Sequence, residues 1–169
     1  MKIGRVYGPE KLKDITIVEC EKVEEIISLE TWKTLQEFHV SRCRKFKNIQ
    51  ALGHLWKLRR VDVYQCDEIE EFPSLKHLTY LYMLNVYECS NLKTIQRLEH
   101  LTKLRILYFY DLPEIEELPV LENLWQLEVY ACPKFKCIEG LEQLTSRIIC
   151  WRMPWNRQLV KCGTFNALG

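Results

Sequence analysis

The chain has 169 residues, 47% of them hydrophobic, 28% charged and 11% aromatic, enough for one domain with a real core or for part of a longer array. With 24 Lys and Arg against 23 Asp and Glu, the formal charge is +1, so there is no chain-wide basic field to hold nucleic acid. The composition excludes a disordered tail and a collagen-like fibre, and no stretch approaches the roughly 18 uninterrupted apolar residues of a membrane span.

Internal repetition organises the rest. Counting from Leu12, apolar residues fall at offsets 0, 3, 5, 8, 11, 14, 17 and 20: Leu12, Ile15, Ile17, Cys20, Val23, Ile26, Leu29 and Trp32. The same frame restarts at Leu35, Leu58, Leu81, Leu104 and Leu124, at intervals of 23 residues four times and 20 once. The fifth coil lacks one three-residue step, and every other slot of the six coils is apolar. Offsets 3 and 5 alternate, which predicts one short strand per coil with those side chains inward. In chain order the inward pairs are Ile15 and Ile17, Phe38 and Val40, Val61 and Val63, Leu84 and Val86, Leu107 and Phe109, and Leu127 and Val129. Beyond offset 8 the spacing is uniformly three, which fits 3-10 or extended three-fold coil better than an α-helix, whose stripe mixes threes and fours.

The frame L-x-x-L-x-L-x-x-C followed by a three-residue period is the leucine-rich repeat pattern. It predicts a leucine-rich repeat solenoid of the α/β horseshoe class. A parallel sheet would line the concave face, with mostly 3-10 or extended coil on the convex face. One coil cannot close a core, so neighbours must stack and share it. The expected organisation is a partial coil over 1–11, six repeats over 12–144 starting at 12, 35, 58, 81, 104 and 124, and a cap or tail over 145–169. That tail holds Arg147, Arg152, Arg157 and Lys161 and no acid, with Trp151, Trp155 and Phe165 as capping candidates.

A second regularity lies on the first. Offset 12 reads Glu24, Lys47, Glu70, Lys93, Glu116 and Lys136, a strict alternation of sign. The repeating unit thus looks like a pair of coils, with each Lys expected between acids on both neighbours. Five cysteines (Cys20, Cys43, Cys66, Cys89, Cys132) share offset 8, after the strand. In register their Cβ atoms would sit near the strand spacing of about 4.8 Å, poor geometry for a disulfide, and reduced structural thiols are expected. His54, His77 and His100 share offset 19 but spread along the stack, so they are read as turn-surface residues rather than zinc ligands. No phosphate-cradling or hydrolase motif occurs, so no enzyme, cofactor or metal is expected.

The outward strand positions are the informative surface. Offset 6 reads Val18, Ser41, Tyr64, Tyr87, Tyr110 and Tyr130, an aromatic column through four successive coils. The neighbouring columns change chemistry from coil to coil. Arg60 and Met83 stand at offset 2, and Asp62, Asn85, Tyr108 and Glu128 at offset 4. Tyrosine adds large contact area at small entropic cost, so these ten residues are the candidate protein-binding set.

The stretches VYECSNLKTIQRLEHLTKL (86–104) and VYACPKFKCIEGLEQLTS (129–146) resemble the leucine-rich repeats of plant intracellular nucleotide-binding immune receptors. The rhythm C-P-x-F-x-x-I-x-G-L-E-x-L is most similar to the flax rust resistance type, which carries an N-terminal TIR domain. The likeness covers about residues 12–146. It implies a C-terminal sensor that binds a pathogen effector protein on the strand face and also contacts the receptor's own other domains. The chain then reads as a part, or a short gene product, of such a receptor. The alternative is the repeat portion of a ubiquitin-ligase adaptor that recruits substrates. Met1 to Lys13 has no apolar secretion-signal core, so a cytoplasmic or nucleocytoplasmic location is expected, with no membrane partner and no nucleic acid.

Overall fold

The computed structural model describes residues 11–25, 32–95, 97–119, 121–135 and 148–151. Seven strands follow in chain order: β1 (Asp14–Val18), β2 (Glu37–Ser41), β3 (Arg60–Tyr64), β4 (Met83–Tyr87), β5 (Ile106–Tyr110), β6 (Gln126–Tyr130) and β7 (Ile148–Trp151). They form one parallel sheet in the order β1-β2-β3-β4-β5-β6-β7. The chain is a leucine-rich repeat solenoid. Residues at equal offsets pair without a shift, as in Val61↔Leu84 and Val63↔Val86. The shortened fifth coil keeps that register, with Leu107 opposite Leu127. The missing step is therefore absorbed on the outer side.

The inward positions fill one shared core. Phe38, Val40, Val63, Leu84, Val86, Leu107 and Phe109 are all fully buried, as are the leucines at offset 0 from Leu35 to Leu81. Alternation in the strands and threes beyond them carry the chain around that core, as the spacing predicts. Among the described residues there is no α-helix, only 3-10 turns at Gln50–His54 and Leu98–His100. In the third and fifth coils Pro73 and Pro119 stand at offset 15, where Gln50 opens the 3-10 turn of the second. A proline holds the residue before it extended. Gly53 meets the next coil closely: a Cβ there would lie 3.1 Å from the Ser74 carbonyl oxygen.

Each of β1 to β6 ends in the same turn. The residue after it is left-handed in all six repeats, with φ of 50° to 54° at Glu19, Arg42, Gln65, Glu88, Asp111 and Ala131. None of these is glycine. The conformation lets the Arg42 N–H donate to the Tyr64 carbonyl at 2.9 Å and the Gln65 N–H to the Tyr87 carbonyl at 3.0 Å, tying each coil to the next. Cysteine follows at offset 8. The thiols of Cys43 and Cys89 donate back to the carbonyls of Ser41 and Tyr87 at 3.2 and 3.4 Å. Their own carbonyls accept the N–H groups of Phe46 and Leu92. A small buried donor thus closes the turn from both ends. Burial pushes the Cys66 and Cys89 thiols up to about 12, so neither carries thiolate at neutral pH.

The outer side is joined two coils at a time. Backbone bridges link Glu25 to Asn48 and Glu71 to Thr94. Lys47 meets Glu24 at 3.6 Å and Lys93 meets Glu70 at 2.9 Å. In the next pair Lys134 meets Glu114 at 2.6 Å. Each Lys is expected between acids on both neighbours; among the described residues the ion pairs within 4 Å run to the preceding coil, from Lys47 to Glu24 and from Lys93 to Glu70. Backbone bridging draws the two coils of a pair together there, and each ammonium follows its nearer carboxylate. Lys136 lies outside the described residues.

The segment expected as a cap or tail, 145–169, supplies β7. Ile148 pairs with Leu127 and Trp151 with Tyr130, so the ladder runs one strand past the last legible repeat. The remaining tail residues, and residues 1–10 of the partial first coil, lie outside the described residues.

Candidate protein-recognition surface

All ten candidate residues lie on the strand face, placed there by the unshifted register. Asp62 is the centre of a polar group on β2, β3 and β4. Arg60 Nε donates to it at 2.7 Å, Asn85 Nδ2 at 2.5 Å, and His39 Nδ1 stands 3.7 Å away. The hydrogen bond to Asp62 raises the Arg60 guanidinium above its usual range. Asn85 departs from expectation. An outward position predicts exposure, yet Asn85 is only 4% exposed. Its donor end must face the Asp62 carboxylate, which fixes the amide orientation and leaves Oδ1 without a hydrogen-bond partner.

The tyrosines form a continuous column beside that group. Tyr64 meets Tyr87 edge-on with centroids 6.2 Å apart, Tyr87 stacks on Tyr110 at 4.9 Å, and Tyr110 meets Tyr130 at 5.7 Å. Tyr108 stands at a right angle to Tyr110, 6.5 Å away. Glu128 accepts hydrogen bonds from the Tyr110 hydroxyl and, at 2.7 Å, from Gln126 Nε2. Burial, and then the charge of Asp62, pushes the Tyr87 phenol up to about 12. Burial and the bond to Glu128 raise Tyr110 likewise, and the bond to Glu88 raises Tyr64. These phenols stay neutral donors at physiological pH.

Met83 stands apart from both groups. With Arg60 it lines a cleft of about 480 Å³ that opens at the N-terminal ends of the strands and also involves Arg59, Tyr80, Tyr82 and Lys103. The sequence reading missed this leading edge of the sheet. Trp56, Tyr80, Tyr82 and Trp125 expose 44%, 41%, 39% and 57% of their surface there. A signal was present: Tyr82 and Trp125 share offset 1, and Trp56 and Tyr80 sit at offsets 21 and 22.

Among the described residues no three His, Cys, Asp or Glu side chains group as metal ligands, and no helix is long and apolar enough to cross a membrane. His54, His77 and His100 are exposed in the turns.

No protein-family profile matches the chain, and no curated protein matches it. Among solved structures it is similar to an internalin from Listeria monocytogenes, at 20% identity and a TM-score of 0.49, over 83% of this chain and 47% of that one. It is also similar to a leucine-rich repeat protein from Leptospira interrogans, at 12% identity and a TM-score of 0.41, over 78% of this chain and 52% of that one. The chain thus spans about half the length of each.

Proposed function

We propose that this chain is a protein-recognition module that binds through its strand face, as the effector-sensing repeat region of a plant intracellular immune receptor. The observation that carries the recognition role is the tyrosine column from Tyr64 to Tyr130, flanked by Asp62, Arg60, Asn85, Tyr108 and Glu128. Rigid aromatic side chains beside fixed, oriented polar groups are the composition of an interface centre. The receptor assignment rests on the repeat rhythm at 86–104 and 129–146. On this reading the ligand is a pathogen effector, the receptor's own signalling domains are the second partner, and the site of action is the cytoplasm.

Two measurements test it. The gene upstream of Met1 is read for a nucleotide-binding module, and an F-box found there instead transfers the chain to the ubiquitin-ligase adaptors. Once a partner is in hand, the double variant Tyr87→Ala, Tyr110→Ala is titrated against it. A loss of about 2 kcal/mol or more is expected for an interface centre. Unchanged affinity with an unchanged melt removes the tyrosine column from the site.

A further inference from the structure

The leading edge of the sheet carries a patch that the strand-face reading does not use. Two aromatic pairs lie along it: Trp56 with Tyr80, centroids 6.0 Å apart, and Tyr82 with Trp125, 6.2 Å apart and perpendicular. Each pair carries its own cation. Lys57 Nζ sits 5.0 Å from the Trp56 ring centre, Lys103 Nζ 4.1 Å from that of Tyr80, and Arg105 Cζ 5.6 Å from that of Trp125. Between the pairs, Arg59 and Lys103 border the cleft that Tyr80, Tyr82 and Met83 wall. Four exposed rings cost hydration that no packing among the described residues repays, and contiguous exposed apolar surface of this kind marks an interaction site.

We infer that this edge is a second docking surface, and that its occupant is an acidic protein segment carrying aromatic or aliphatic side chains. Charge complementarity sets the sign: the edge presents Lys57, Arg59, Lys103 and Arg105 in a chain whose formal charge is only +1. The cations lie over ring faces, so a partner carboxylate reaching them also brings its neighbouring apolar side chain against a ring. Tryptophan, tyrosine and arginine are the residues that dominate protein interfaces. Nucleic acid also joins phosphates to stacking bases, but it carries a charge on every nucleotide. Glu37 lines the same cleft, and Asp62 lies behind Arg60. A regular polyanion would be driven against both carboxylates, whereas a polypeptide can space its acids to avoid them.

The test exposes the full chain to a displayed library of random twelve-residue peptides. The strongest binders are then titrated as synthetic peptides against the chain, against Arg59→Glu with Lys103→Glu, against Tyr82→Ser with Trp125→Ser, and against Tyr87→Ala with Tyr110→Ala. The expected winners are rich in Asp, Glu and aromatic residues. They should lose affinity tenfold or more in both leading-edge variants, keep it in the strand-face variant, and weaken with added salt. Thermal melts show which variants remain folded, and either leading-edge pair suffices. Winners without acidic enrichment, or indifferent to the leading-edge changes, overturn the inference. So do winners sensitive only to the strand-face pair, which would leave the strand-face reading standing. A twenty-residue oligothymidylate is titrated alongside. Its binding, lost in the Arg59 and Lys103 variant while peptides are ignored, would assign the edge to nucleic acid.

Discussion

On the strand side every coil pairs with both neighbours in the same unshifted way, from Asp14↔Glu37 through Tyr110↔Tyr130. On the outer side, among the described residues, backbone bridges join the first coil to the second and the third to the fourth, and the second and third are left unbridged. One repeat therefore carries two periods. The shared apolar frame repeats with every coil and sets the sheet. The outer side follows side chains that alternate: Glu-Glu in odd coils, Lys-Asn, Lys-Thr or Lys-Cys in even ones. Asn48 Nδ2 donates to Glu25 Oε2 at 3.0 Å, beside the Lys47–Glu24 pair. Repeat length dictates backbone register, and residue identity decides which neighbours are held twice.

The comparison breaks most sharply in the core. Leu84→Asp places a charge where the side chain is fully buried, and a loss of roughly 4 kcal/mol or more is expected in denaturant titrations. Asn85→Asp, one residue on and nominally outward, should also be costly. It sets a second carboxylate against Asp62 at the position of a 2.5 Å hydrogen bond. About 2 kcal/mol should be lost at neutral pH. The new pair must hold a proton, so its folded pKa lies above its unfolded value. The loss should therefore shrink as pH falls toward 4 and be complete near 7, a profile that melts across that range would show. A flat profile would mean the two side chains are not in contact.

Tyr87 offers a gentler test of the strand face. Its phenol is raised to about 12 from an ordinary value near 10. Its contribution is thus fully present below pH 10 and lost as pH climbs through 12. In Tyr87→Phe that part of the alkaline decline should vanish, as should one late step of the tyrosinate absorbance titration. Lys93→Glu should lower Tm slightly at low salt and hardly at all near 1 M, where charges are screened within about 3 Å. The exchange Lys93→Glu with Glu70→Lys should restore it, because the hydrogen bond to Glu70 is what raises the lysine and lowers the glutamate. Failure of that rescue would dissolve the two-coil unit. The smallest effect is expected at Ala131, whose φ of 52° has only a methyl group to accommodate. Ala131→Gly should stabilise by about 0.5 kcal/mol, since glycine adopts that conformation without the steric cost.

Much of this was legible because the inward columns repeat without exception, and a fixed register turns an offset into a position in space. The ten strand-face residues could be grouped on that basis alone. The burial of Asn85 could not, since it depends on a neighbour at another offset, Asp62, turning toward it. Strand β7 escaped because Ile148, Ile149 and Cys150 are consecutive apolar residues with no alternation, and Thr145 stands where a coil should open on leucine. The leading-edge aromatics escaped because they come from three different offsets, brought together by the turn between one coil's end and the next strand. The left-handed turns left almost no trace, as five of the six are filled by residues other than Asn, Asp or Gly.

The two-coil joining on the outer side also has a mechanical meaning. Bending the solenoid must spread or close its outer side while the sheet acts as the hinge line. The stiff segments are the doubly held pairs, so flexure concentrates where the bridges lapse, the junction of β2 with β3 among those places. That junction passes directly under Asp62 and its contacts to His39 and Arg60. A ligand seated across it would register as a change in spring constant as well as in shape, and could pass its presence along the array as stiffness.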